Sequence, residues 1–132
     1  MKATERTIAF VDVASLSAIE GHGPKRVLWL KNKIETEGLW TVPLKVEKTK
    51  HLVMDGHHRF EVAKAMGLRR VPAELFTYDE VEVWSLRPKI EVTGEIILRN
   101  YGEGVIFPYK TAKHGFPEGA IDFEGVPLDE LR

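Results

Sequence analysis

The stretch Val53-Met54-Asp55-Gly56-His57-His58-Arg59-Phe60 leaves this chain few choices of local structure. An apolar run ends at Met54 and reads as a strand, and Asp55-Gly56 is a turn dipeptide. Phe60, Val62, Ala63 and Met66 then recur at helical spacing. A strand, a tight turn and a helix in that order place Gly56, His57, His58 and Arg59 at a helix N-terminus. Unpaired backbone N–H groups and the positive end of the helix dipole favour an anion there. Gly56 lets a ligand approach the main chain, and the two histidines and Arg59 are expected to add donors and positive charge. Adjacent helical positions point about 100° apart, so His57 and His58 are poorly placed to share one metal ion.

The rest of the composition narrows the class of molecule. A length of 132 residues is enough for one domain with a core of its own. The formal charge of −1 argues against a general nucleic-acid binder. With no cysteine, disulfides, thiolate nucleophiles and zinc-thiolate sites are excluded. No apolar run reaches the length of a membrane span and the N-terminus has no signal-peptide core, so a cytoplasmic location is expected.

Hydrophobic patterning predicts a first strand over 7–13 and a polar, glycine-rich loop through Gly21-His22-Gly23. A helix follows from Pro24, marked by Val27, Leu28, Leu30 and Ile34, with Gly38 as its stop. Strands over 43–46 and 52–54 flank a hairpin turn at 47–50, and a further strand covers 71–76. Residues 79–84 fit strand or helix equally, as do Ile90 to Asn100, which Gly102 and Gly104 should break. A basic and polar cluster spans Phe107 to His114, and the tail from Gly115 is expected to run extended along the edge of the domain.

The order strand, Gly-x-x-Arg, helix, then Gly67-Leu68-Arg69-Arg70-Val71-Pro72-Ala73 resembles the ParB/sulfiredoxin superfamily over about residues 7–88. Arg26-Val27 opening a helix, then Gly38, Pro43-Leu44 and Val46, agree with it. The resemblance implies a compact α+β fold: a small mixed sheet with helices and a nucleotide-phosphate site at the strand-turn-helix junction. The domain would span 1–132, with its core over 7–88 and a substrate-side cluster and tail over 89–132. ParB proteins usually carry Gly-Glu-Arg-Arg at the turn and a DNA-binding domain downstream, for which this chain leaves no room. Sulfiredoxins need a cysteine where His57 stands, which excludes their chemistry.

Asp55-Gly56-His57-His58-Arg59 is similar instead to the free L-serine kinases, which phosphorylate the amino-acid hydroxyl with ADP or ATP and magnesium. That resemblance implies a role for each of several residues. Gly56, His57, His58 and Arg59 would cradle the nucleotide phosphates, and Asp55 would hold Mg2+. Glu20, six residues ahead of Arg26, would take the proton of the substrate hydroxyl. Met54 and Trp84 would border the substrate, and Lys110, Thr111, Lys113 and His114 would bind its carboxylate or the phosphoryl group in transit. Two positions depart from the family's Lys-Thr-Thr-Arg-His: Ala112 lacks a hydroxyl, and Lys113 replaces a two-pronged arginine with a point charge. The kinases also carry an extra lobe around the substrate that this chain mostly lacks.

Each position has a plainer reading: Glu20 as a solvated loop carboxylate, Asp55 as a helix cap, Trp84 as a core residue, the lysines as surface charge. Two other functions compete with a kinase. One is a non-catalytic nucleotide-binding module with a regulatory or DNA-associated role. The other is a metal-dependent nuclease, which would require more convergent carboxylates than Asp55 alone. The oligomeric state, a homodimer included, is left open.

Overall fold

The computed structural model describes residues 4–6, 8–121 and 123–132. In chain order come β1 (Thr4–Arg6), β2 (Ala9–Asp12), α1 (Pro24–Glu37), β3 (Leu39–Trp40), β4 (Leu44–Glu47) and β5 (Val53–Asp55). There follow α2 (His57–Ala65), β6 (Arg70–Phe76), β7 (Glu82–Ser85), α3 (Gly94–Glu103), β8 (Ala112–Gly115), β9 (Gly119–Ile121) and β10 (Val126–Pro127). The fold class is the expected α+β.

A four-stranded mixed sheet in the order β2-β6-β4-β5 forms the centre. β6 runs antiparallel to β2 and parallel to β4, while β4 and β5 form an antiparallel hairpin with a register shift at Lys45/Val46. Glu47 builds the hairpin turn: its carboxylate accepts the Thr49 N–H (3.0 Å), the Thr49 hydroxyl (2.8 Å) and the Lys50 N–H. Leu44 and Val46 of β4, Val53 of β5 and Val71 and Ala73 of β6 are buried together with Leu30 and Ile34 of α1 and Phe60, Val62 and Ala63 of α2. This is the main core, and it fixes both helices relative to the sheet.

α1 begins with Pro24, whose missing N–H costs nothing at a helix start, and ends at Gly38 with φ +71°. Leu28 departs from expectation: it and Trp29 point outward, 61% and 59% exposed, while the Leu30–Ile34 stripe packs inward. The first strand is shorter than expected, because Val13 enters a 3-10 turn; Thr7 lies outside the described residues. Residues 79–84 resolve into a turn and then strand β7. The ambiguous Ile90–Asn100 stretch becomes α3, whose start Thr93 caps by accepting the Ile96 N–H at 3.1 Å. Gly102 sits inside that helix, and only Gly104, at φ +70°, ends it.

The tail departs in a different way. It is extended in β9 and β10, but these pair with β1 and β3 and not with the four-stranded sheet. Val126, Leu128 and Leu131 enter the main core, and the Leu131 carbonyl accepts the Arg69 and Arg70 N–H groups. The tail's own apolar side chains gain more by closing the core than by lining an edge. β7 and β8 form an antiparallel pair over the other face of the sheet, where Met54, Phe76 and Val81 are buried near Phe116. Among the described residues no helix is long and apolar enough to cross a membrane.

Candidate functional site

β5 ends at Asp55, and the chain turns through Gly56 at φ +101° into α2. A Cβ at Gly56 would come within 2.7 Å of Leu44 Cδ2, so both the backbone conformation and the space behind it require glycine. No side chain caps α2 and no acidic residue lies in its first turn, which leaves its N-terminal amides for a ligand. Asp55 is exposed beside them and does not act as a cap.

The two histidines of the turn do something the sequence did not suggest. Ile19 N–H donates to His57 Nε2 at 3.2 Å, and Gly23 N–H donates to His58 Nε2 at 3.1 Å. Each ring is therefore an acceptor at Nε2, which in the neutral imidazole places the proton on Nδ1. Burial pushes His57 down to about 3, with His114, His58 and His22 adding to the effect. Burial also lowers His58, helped by the charge of Arg26. The expectation that both add positive charge is thus corrected: at neutral pH they are uncharged, because desolvation, and for His58 the nearby Arg26, opposes a second proton. What they hold in place is the 19–23 loop.

That loop carries Glu20. The carboxylate is buried, and both its oxygens accept backbone N–H groups: Oε2 from Lys110 at 3.0 Å and Oε1 from Ala112 at 2.9 Å. Burial raises its pKa, against the opposing pull of those amides and of Arg87. Gly21 N–H donates to the Phe107 carbonyl and Phe107 N–H to the Ile19 carbonyl, both at 2.9 Å. The 107–112 segment is consequently laid along the Glu20 loop, with Tyr109 packed edge-on to His58 at 5.3 Å between ring centres.

Between these two walls lies a cleft of about 360 Å³. Arg26, Arg59, Lys110 and Lys113 bring four cations to it, against the carboxylates Glu20 and Asp55. The cavity is thus locally cationic in a chain of formal charge −1. Arg59 is lowered by burial but remains protonated, as arginine does in proteins. Met54 and His114 also line the cleft, with Leu86 and Phe116 as further apolar wall. His114 is buried, stacks on Phe116, lies 3.2 Å from the Tyr78 hydroxyl through Nε2, and is pushed down to about 4, chiefly by burial.

Most residues singled out from the sequence meet here: Glu20, Met54, Asp55, Gly56, His57, His58, Arg59, Lys110, Lys113 and His114. Two lie outside the lining. Trp84 is 44% exposed on β7, with its ring against Gly115. Thr111 is fully buried; its hydroxyl donates to the Pro108 carbonyl (2.6 Å) and accepts from Arg87 Nε (3.0 Å). Sequence reasoning missed Arg26, Tyr109, Leu86 and Phe116 as cleft residues. Of these only Arg26 had a signal, its place in the first turn of the helix that follows Glu20.

No protein-family model matches the sequence. Over 77 residues the chain is 36% identical to an ATP-dependent L-serine kinase of Staphylothermus marinus, covering 55% of this chain and 31% of that protein. Over 62 residues it is 34% identical to an ATP-dependent L-serine kinase of Desulfurococcus mucosus, covering 44% and 24%. The matched stretch thus spans less than a third of either relative. A free serine kinase in complex with AMP superposes with a TM-score of 0.83 at 14% identity, covering 100% of this chain and 97% of that one. A conserved hypothetical protein from Pyrococcus furiosus does so at 0.84 and 13% identity, covering 100% of both chains. SbnI with a C-terminal truncation, from Staphylococcus aureus, gives 0.82 at 13% identity, over 95% and 89%. The chain has the fold of the free serine kinases.

Proposed function

We propose that this chain is a phosphotransferase that moves a phosphoryl group from ADP or ATP to the hydroxyl of free L-serine or a closely similar compound. The observation that carries this reading is the meeting, in one cationic cleft, of an uncapped helix N-terminus and a buried carboxylate of raised pKa. Phosphoryl transfer asks for positioning, charge neutralisation and an oriented nucleophile. The amides of Gly56 to Arg59 and the guanidinium groups of Arg59 and Arg26 take the nucleotide phosphates. Glu20 accepts the proton of the attacking hydroxyl; a carboxylate has about four lone-pair sites, so two amide bonds leave room for a third. Lys110 and Lys113 meet the acceptor's carboxylate, with His114 and Met54 shaping the pocket behind.

Magnesium fits the donor set. Among the described residues no three acidic, histidine or cysteine side chains cluster as a protein cage. Mg2+ does not need one, since it is usually held by one or two carboxylates together with substrate phosphates. Asp55, exposed at the mouth of the phosphate turn, is the carboxylate that would hold it. Held there, it would supply charge neutralisation for the phosphates during transfer.

The test is phosphorus NMR of the protein with magnesium, L-serine and either ADP or ATP. A new phosphomonoester resonance that vanishes in Glu20→Gln establishes the reaction and names its donor. A second reading, a nucleotide-binding module without turnover, is favoured by the way both Glu20 oxygens are already engaged by the main chain. No new resonance, with ADP or ATP binding that Arg59→Ala abolishes, would select that reading.

A further inference from the structure

We propose that Arg87 is a positioning residue for Glu20, acting through the 109–111 backbone without touching the cleft. Arg87 follows β7, where Ser85 Oγ donates to its carbonyl (2.8 Å) and accepts its N–H (3.0 Å). From there its guanidinium reaches across to the neighbouring loop. Nε donates to Thr111 Oγ1 at 3.0 Å and Nη2 to the Tyr109 carbonyl at 2.6 Å. The two contacts bracket Lys110, and the amides of Lys110 and Ala112 are the ones that hold the Glu20 carboxylate.

Lys110 is one of only two non-glycine residues at positive φ among the described residues, at +60°. A lysine adopts that conformation only at a cost, which its surroundings must offset. Arg87 on one side and Glu20 on the other supply that hold. The planar fork of arginine suits this bracketing in a way a lysine ammonium would not. The positive charge of Arg87 also favours the ionised form of Glu20.

Glu20 shares its cavity with other charged and titratable groups: Arg26 from α1, Asp55 from β5, His57, His58 and Arg59 from α2. Tyr109 and Lys110 on the loop and Lys113 and His114 on β8 complete that set. All of these are retained in an Arg87 variant, so a change in Glu20 reports on Arg87.

The role in turnover rests on the reading of Glu20 as the proton acceptor; the positioning itself does not. In Arg87→Met, amide exchange at Lys110 and Ala112 should quicken and the Glu20 carboxyl, followed by carbon NMR, should titrate at higher pH. kcat should fall by about tenfold, the scale of one lost charged hydrogen bond. Its acid limb should move up with Glu20, while KM for nucleotide stays put. Arg87→Lys, the milder change should the first fail to fold, keeps the charge without the fork, so the two amides should still exchange faster and the Glu20 titration should recover only in part. Unchanged amide exchange together with an unchanged Glu20 titration in either variant overturns the proposal. Turnover surviving in Glu20→Gln removes the proton-acceptor reading alone, and the exchange and titration data still decide for or against Arg87.

Discussion

The two walls of the cleft both turn through positive φ, one with a glycine and the other with a lysine. At Gly56 the backbone sits at +101° with Leu44 directly behind it, so nothing larger fits and the turn needs no outside help. At Lys110 the backbone sits at +60°, and the strain is held by bonds from residues far away in the chain: Glu20 to the amides, Arg87 to the flanking groups. The first wall is set by its own few residues and the strand before it. The second exists only when the rest of the domain is in place. Its reward is a cation at the cleft where a glycine would supply none.

The largest expected effect is that of acid, which should weaken both walls about equally. His57 on the turn and His114 on β8 both bind a proton less readily folded than unfolded, at about 3 and about 4 against an ordinary 6.5. Above that ordinary value neither takes up protons and stability is flat on their account. As pH falls below it the unfolded chain binds more protons, so stability declines until the folded values are reached. At about pH 5 each histidine should cost roughly 2 kcal/mol. Denaturant unfolding at neutral pH and at about pH 5, without nucleotide or metal, reads the sum, and proton NMR of each ring divides it. Rings that titrate normally would remove the effect.

Gly56→Ala comes next. Strain at a positive φ and the clash with Leu44 together should lower stability by about 3 kcal/mol, seen in the denaturation midpoint. A loss below about 1 kcal/mol would mean that Leu44 yields easily and that this wall is not self-sufficient. The smallest effect belongs to Lys110→Gly, which relaxes the other wall. It should raise stability by about 0.5 kcal/mol, the relief of strain less the added freedom of the unfolded chain. The same variant should weaken binding of L-serine, because the cation placed against its carboxylate leaves the cleft. Stability and affinity moving in the same direction would contradict the trade described here.

The contrast between the walls also explains what could be read from the sequence. The strand, the Asp55-Gly56 turn and the helix lie within a dozen residues, and periodicity and turn chemistry act at that range. The stop at Gly38 and the hairpin around 47–50 were legible for the same reason. Glu20 and Lys110 are 90 positions apart, and the Arg87 contacts span 22 and 24. Nothing local marks them. α3 is ambiguous in the sequence because Gly102 lies within it and reads as a break no less than Gly104, where the helix does end. The histidines were misread in charge because their acceptors' partners, the Ile19 and Gly23 amides, come from a loop with no pattern of its own.

Those last two bonds have a bearing on how such a chain can vary. His57 and His58 grip main-chain N–H groups, and any residue except proline offers one. The grip therefore makes no demand on the identity of the side chains it restrains. His22, between the two anchor points, is free to drift in related sequences as far as this grip is concerned. A substitution that introduces proline at 19 or 23 breaks the hold even where its side chain fits. Two relatives can then share the same restrained loop while showing little in common along it beyond an acid at one position and a pair of histidines much further on.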